Sequence, residues 1–210
     1  MTEKQEKIRY FINNSILAGI CIAIGGYVNL ILGSPIGPFL FAFGLCCVLG
    51  FKYFLFTGKA GTWDFNQIFY LIGVLLLNIV GCFLIGCLSK YNPNVGESAI
   101  KITEARLANG WFNTGLSAIG CGAIMTFCVV GYANTKSFII PLIGVPVFIF
   151  CGFAHCVADA FYYSALPWDY MKEHIIDILP VYGATVVGNY IGCNIPKIFN
   201  TKITEKNIIY

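Results

Sequence analysis

His155 lies in a stretch, 137–158, that contains no Asp, Glu, Lys or Arg, and Asp159 follows it by one helical turn on the same face. Lys52 interrupts an equally apolar run earlier in the chain. An ionisable side chain at the centre of a membrane helix costs at least about 2.5–3.5 kcal/mol on insertion scales, so all three are functional candidates. Neutral imidazole donates to an anion, and imidazolium hands over a proton near neutral pH. The structural alternative for His155 is a histidine bonded to a neighbouring carbonyl. For Asp159 the alternatives are a helix-terminus cap or a partner for Lys52, and Lys52 can equally snorkel to the interface. Thr57, Asn78, Thr126 and Thr185 are polar at low cost, since each can bond its own helix backbone. Of these, Thr57 is the one expected to face a ligand.

The elements that would position these groups are membrane helices. The chain has 210 residues, 58% hydrophobic and 11% charged, with eighteen phenylalanines. Soluble domains carry about 25% charged residues. A mean hydropathy of +0.76 in a 23.1 kDa chain excludes a soluble enzyme, a disordered chain and a nucleic-acid binder. No Asp, Glu, Lys or Arg occurs in 10–51, 65–89, 107–135, 137–158 or 178–196. A helix needs about 20 apolar residues to span a bilayer. The first run is broken by Gly33-Ser34-Pro35-Ile36-Gly37-Pro38, so six spans are expected, at about 13–32, 38–57, 67–88, 112–132, 138–164 and 176–196. They form a single membrane domain over 1–210.

Lys4, Lys7, Arg9, Lys59, Lys136, Lys197, Lys202 and Lys206 fall on one side of this scheme, and Lys90, Lys101, Arg106 and Lys172 on the other. The excess favours both termini in the cytoplasm. Met1–Asn14 is polar and of mixed charge. It does not read as a signal peptide; residues 1–12, with Lys4, Lys7 and Arg9, read as a solvated tail that could plug the cytoplasmic mouth. The ten cysteines fall in spans and read as small apolar packing residues. Cys151, His155 and Cys156 offer poor chelating geometry, so no metal and no cofactor is expected. Tyr10, Tyr70, Trp111, Tyr162, Trp168 and Tyr170 lie near span ends, as interface anchors do. Phe41, Phe56 and Phe148 lie inside spans, where bulky apolar residues can form dry constrictions.

The two halves carry a repeat, at about 10–90 and 110–197. At an offset of 108, Pro38 meets Pro146 and Gly44 meets Gly152. At 107, Asn78-Ile79-Val80-Gly81 meets Thr185-Val186-Val187-Gly188. The first and fourth spans match more loosely. Three spans per half put the second half upside down, an inverted repeat whose broken helices, here the second and fifth, meet at the midplane.

Several motifs together resemble the formate/nitrite transporter family of pentameric anion channels. They are Gly152-Phe153-Ala154-His155-Cys156-Val157-Ala158-Asp159, Phe41-Ala42-Phe43-Gly44-Leu45, Leu55-Phe56-Thr57-Gly58, Leu77-Asn78-Ile79-Val80-Gly81 and Leu179-Pro180-Val181. The resemblance implies an all-α membrane protein with an aquaporin-like protomer and a homopentameric assembly. His155 would be the central pore histidine, with Thr57 facing it. Phe41 and Leu45 would line the cytoplasmic constriction, with Phe56 near the centre. Phe148 and Met125 would line the periplasmic one, and Arg106 would draw anions in. The chain departs from the family at Ala154 (family Glu), Asp159 (family Asn), Gly122 (family Asn) and Thr185 (family Asn). The link after Thr57 is also short, so the second half of the second helix is expected to be truncated.

These features imply a channel or proton-coupled transporter for small monovalent weak-acid anions in the plasma or inner membrane. Formate comes first, then nitrite or hydrosulfide. The alternative is a non-conducting scaffold or sensor of the same fold, its pore plugged by Lys52 and Asp159. A neutral-solute channel ranks lower because paired Asn-Pro-Ala motifs are missing, and an enzyme lower still.

Overall fold

A computed structural model describes residues 2–199. Lys202 and Lys206 of the inward-facing set lie outside these residues. The helices are α1 (Glu3–Leu32), α2 (Ile36–Gly50), α3 (Phe56–Ala60), α4 (Ile68–Ser89), α5 (Pro93–Thr135), α6 (Ile139–Phe150), α7 (Cys156–Ala165) and α8 (Trp168–Phe199), with a 3-10 turn at Phe65–Gln67 leading into α4. Among the described residues, α1, α4 with its leading turn, α5 and α8 are long and apolar enough to cross a bilayer. The two remaining expected crossings are each a helix, a loop and a shorter helix: α2 with α3, and α6 with α7.

Both breaks have the same local cause. Lys52 and Gly152 adopt left-handed backbone, with φ of 61° and 69°. Phe51 N–H donates to Cys47 O and Tyr53 N–H to Val48 O; Cys151 N–H donates to Val147 O and Phe153 N–H to Phe148 O. This helix-ending cap is built twice. A left-handed lysine is uncommon, because its Cβ crowds the carbonyl at about 1–2 kcal/mol. The Lys52 side chain is exposed. It terminates α2 and does not reach the interior to meet Asp159.

The repeat runs in a different register from the one read in the sequence. The caps pair Tyr53 with Phe153, an offset of 100 rather than 108. Gly81 of α4 lies against the Ile16 carbonyl of α1, and Gly192 of α8 lies against the Ile119 carbonyl of α5. That pairs Gly81 with Gly192 rather than with Gly188. Small residues recur along every membrane helix, so matches a turn or two out of register look as good as true ones. Gly44 has a different task from Gly152: it lets α2 approach the backbone of α1 at Cys21.

α1 packs on α2 and α4, and α5 packs on α6 and α8. α2 and α6 run antiparallel, with Phe39 against Phe150 at one end and Gly50 near Phe138 at the other. α7 packs on α4, from the other half, while α3 sits among α4, α5 and α8. α3 has 5 residues and α7 has 10, so the truncation expected after Thr57 is present. Residues 93–109, between the third and fourth expected spans, form the first arm of α5, which turns at Gly110 (φ 73°). The expected tail is helical too. Thr2 caps α1 in a reciprocal box with Gln5, and Lys7 pairs with Glu3 at 2.6 Å.

Without water to drive helices together, close backbone approach supplies much of the cohesion. A Cβ on Gly192 would fall inside the Ile119 carbonyl oxygen, whereas a Cβ on Gly183, nine residues earlier on α8, meets nothing within 4 Å. Gly192→Ala is therefore expected to destabilise by about 1–3 kcal/mol and Gly183→Ala to be neutral. Thermal unfolding of the two variants in detergent checks this.

Candidate functional site

The two re-entrant loops, 51–55 and 151–155, bring His155 and Thr57 together. His155 is the N-cap of α7: its Nδ1 accepts from Ala158 N–H at 3.1 Å, and its carbonyl accepts from Asp159 N–H at 2.8 Å. With Nδ1 acting as acceptor, the neutral ring carries its proton on Nε2. That nitrogen lies 3.0 Å from Thr57 Oγ1, so Nε2–H donates to the hydroxyl. Both residues are buried. Phe148 stacks on the imidazole at 5.6 Å, and Phe41 meets Phe148 edge-on at 6.1 Å.

Phe41 therefore belongs with Phe148, on the same side of His155. The expectation that it pairs with Leu45 at the opposite constriction does not hold, because antiparallel α2 and α6 bring the first half of α2 beside the second half of α6. Leu45, Phe56 and Met125 are buried in the core.

Two asparagines hold the loops. Asn78 Oδ1 accepts from Phe56 N–H at 2.8 Å, and its amide donates to Ser15 O at 2.7 Å and Phe54 O at 2.8 Å. Asn189 repeats this around the other loop. Its Oδ1 accepts from Cys156 N–H at 2.8 Å, and its amide donates to Ala118 O at 2.8 Å and Ala154 O at 2.9 Å. Asn78 is thus a scaffold residue. Asn189 was missed in the sequence, where Thr185 was aligned with Asn78 one turn too early. Thr185 bonds its own helix, at Val181 O. Thr126 reaches across to Cys193 O at 2.9 Å, and Cys193 Sγ donates to the Thr57 carbonyl at 3.3 Å. Some cysteines thus do more than fill space.

Arg106 is not a free cation at a mouth. Its two terminal nitrogens donate to Gly152 O at 2.6 Å and Phe153 O at 3.1 Å, strapping the loop that carries His155. Its Nε lies 3.4 Å from Asp159 Oδ2, so the partner of Asp159 is Arg106 and not Lys52. A cavity of about 200 Å³ opens beside this pair; His155, Asp159, Arg106, Phe148, Asn29 and Tyr162 are among its walls. In the register of the two caps, Asp159 corresponds to Lys59 on α3. Lys59 is buried, with Nζ 4.9 Å from the Phe54 ring and 5.7 Å from Trp63. Lys197 secures the link after α3 by donating to Trp63 O at 2.9 Å.

The sequence profile of the formate/nitrite transporter family matches residues 1–196. No curated protein sequence is matched. Among solved structures, the chain is similar to a pentameric formate channel with formate bound, at a TM-score of 0.78 and 17% identity, covering 94% of this chain and 97% of that one. It is also similar to an FNT family ion channel, at a TM-score of 0.72 and 18% identity, covering 91% and 88%. Those structures share the fold, and the profile spans nearly the whole chain: this protein belongs to the formate/nitrite transporter family.

Proposed function

We propose that the chain forms a homopentamer in the plasma or inner membrane, with both termini cytoplasmic, and that each protomer conducts a small monovalent weak-acid anion, formate first, past His155. The observation that carries this reading is the His155 Nε2–Thr57 Oγ1 pair at 3.0 Å, buried where two re-entrant loops meet and roofed by Phe148. Non-helical backbone at membrane depth is tolerated where it is buried in protein or lines a cavity. With Nε2–H donating to Thr57 Oγ1, the threonine hydroxyl hydrogen is free to donate to an oxyanion, and Nε2–H joins it when the anion takes the place of the Thr57 oxygen. The N-terminal end of α7, capped by His155, adds partial positive charge. Apolar rings beside the pair disfavour a bare charge, so a weak acid crosses them most cheaply in its neutral form.

The cap makes His155 a hydrogen-bond donor rather than a proton source. A second proton would have to enter at Nδ1 and would displace the Ala158 N–H bond. The scaffold reading relied on Lys52 and Asp159 plugging the pore, and these two side chains do not meet. Formate is also bound in the pentameric channel of similar fold.

Proteoliposomes loaded with formate, nitrite or hydrosulfide test this. His155→Ala is expected to lower flux about tenfold to a hundredfold, the equivalent of about 1.5–3 kcal/mol for a hydrogen bond to a charged group. No flux of any of the three through a correctly assembled oligomer would overturn the anion reading and favour the scaffold.

A further inference from the structure

Asp159 stands where the family resemblance implies asparagine, and the proposed function gives it no task. Its side chain is 1% exposed, and neither carboxyl oxygen has a hydrogen-bond partner among the described residues. Arg106 Nε, at 3.4 Å, is in ion-pair range but is not aligned for a hydrogen bond. Two further buried groups nearby, the hydroxyls of Tyr163 and Tyr182, are equally without partners. The groups facing the carboxyl are Arg106 and Cys121 of α5, Tyr182 of α8, and Cys156, Tyr162 and Tyr163 of its own helix. Asn29 of α1 donates to the Tyr162 hydroxyl at 3.3 Å and adds no charge. Arg106 is the one permanent charge in this set. His155 and Asp159 line the same cavity of about 200 Å³, room for a triatomic or tetratomic anion and a few waters at about 30 Å³ each.

The geometry points to Asp159 as the proton-binding group that couples anion uptake to proton uptake. This rests on the anion reading above. With Asp159 ionised, Arg106 is neutralised and a second anion beside the pair leaves the cavity with net negative charge. With Asp159 protonated, Arg106 is free to balance the incoming anion, so proton and anion bind together. Transfer then follows across the cavity. The Asp159 O–H bond breaks, its electron pair stays on the aspartate, and a new O–H bond forms on formate. Neutral formic acid moves past Phe148 to Thr57, and Asp159 takes up another proton that reaches it through the cavity. His155, its Nδ1 occupied by the α7 cap, supplies the hydrogen bond and Asp159 the proton.

Formate added to weakly buffered, detergent-solubilised protein is expected to draw a proton from solution for each formate bound, as an indicator dye reports. Asp159→Asn abolishes this uptake and Asp159→Glu retains it. In proteoliposomes, wild-type uptake is expected to fall about tenfold per pH unit above the titration range of the carboxyl, following its protonated fraction. The same profile is flat in Asp159→Asn after correction for free formic acid. Should Asp159→Asn fail to assemble, the wild-type infrared difference spectrum decides: a protonated-carboxyl band that appears with formate and moves in Asp159→Glu supports the assignment, and no such band overturns it. Formate binding with undiminished proton uptake in Asp159→Asn overturns the assignment and leaves the anion channel standing. No binding of formate, nitrite or hydrosulfide to the wild type overturns both.

Discussion

Asn189→Leu is expected to lose about 2–6 kcal/mol of stability and to abolish transport with it. Leucine keeps the branching of asparagine at Cγ and removes all three of its hydrogen bonds, to Cys156 N–H, Ala118 O and Ala154 O. Ala118 lies within α5, so its carbonyl keeps a helical partner. Cys156 N–H, at the first turn of α7, and Ala154 O, in the loop, have no such reserve. Each orphaned buried group costs about 1–3 kcal/mol, since no water at membrane depth replaces the amide. The loss also reaches the chemistry, because Ala154 and Cys156 flank His155 in sequence. At about 2–4 °C per kcal/mol for a chain of this size, the unfolding temperature in detergent is expected to fall by about 4–24 °C. Asn78→Leu, its counterpart around Phe54 and Phe56, is expected to behave alike. A melting point unchanged in both variants would show that the loops hold themselves.

The membrane helices were legible because their signal is strong and one-dimensional. A gap in charge such as 107–135 has one cheap interpretation, and the second arm of α5 fills it. His155 was legible for the related reason that a titratable ring in an apolar run is costly. Thr57 was singled out at its break, and the structure brings it to His155. Register was not legible. Pro38 and Pro146 align well as letters, but Pro38 sits in the first turn of α2 and Pro146 well inside α6. Only the hydrogen bonds at the two caps show that Lys52 is the equal of Gly152. That misreading hid Asn189, which emerges once Gly81 is paired with Gly192. Arg106 was read as a charge that draws anions in, because nothing in one dimension shows residues 93–109 folding as a helix that lays a guanidinium on Gly152, Phe153 and Asp159.

Arg106→Met separates a strap from an attractor. If Arg106 merely drew anions in, methionine would leave stability unchanged and weaken the dependence of flux on ionic strength. The geometry favours the opposite result. Methionine keeps the apolar stem but strips Gly152 O and Phe153 O of their donors and leaves the Asp159 carboxylate buried without a counter-charge. Removing one partner of a buried ion pair costs about 3–5 kcal/mol, and the freed loop is the one that presents His155. Loss of fold and of flux is expected together. Arg106→Lys is expected to fall between, since an ammonium can balance Asp159 but cannot also span two successive carbonyls as a planar fork does. The double variant Arg106→Met with Asp159→Asn supplies the decisive comparison. The asparagine removes the stranded charge, so most of the lost stability is expected to return while the loop stays unstrapped. A double-mutant cycle of unfolding free energies reads the coupling directly. Additive effects would place the cost in the two loop bonds, whereas recovery of several kcal/mol places it in the charge that Arg106 holds in check.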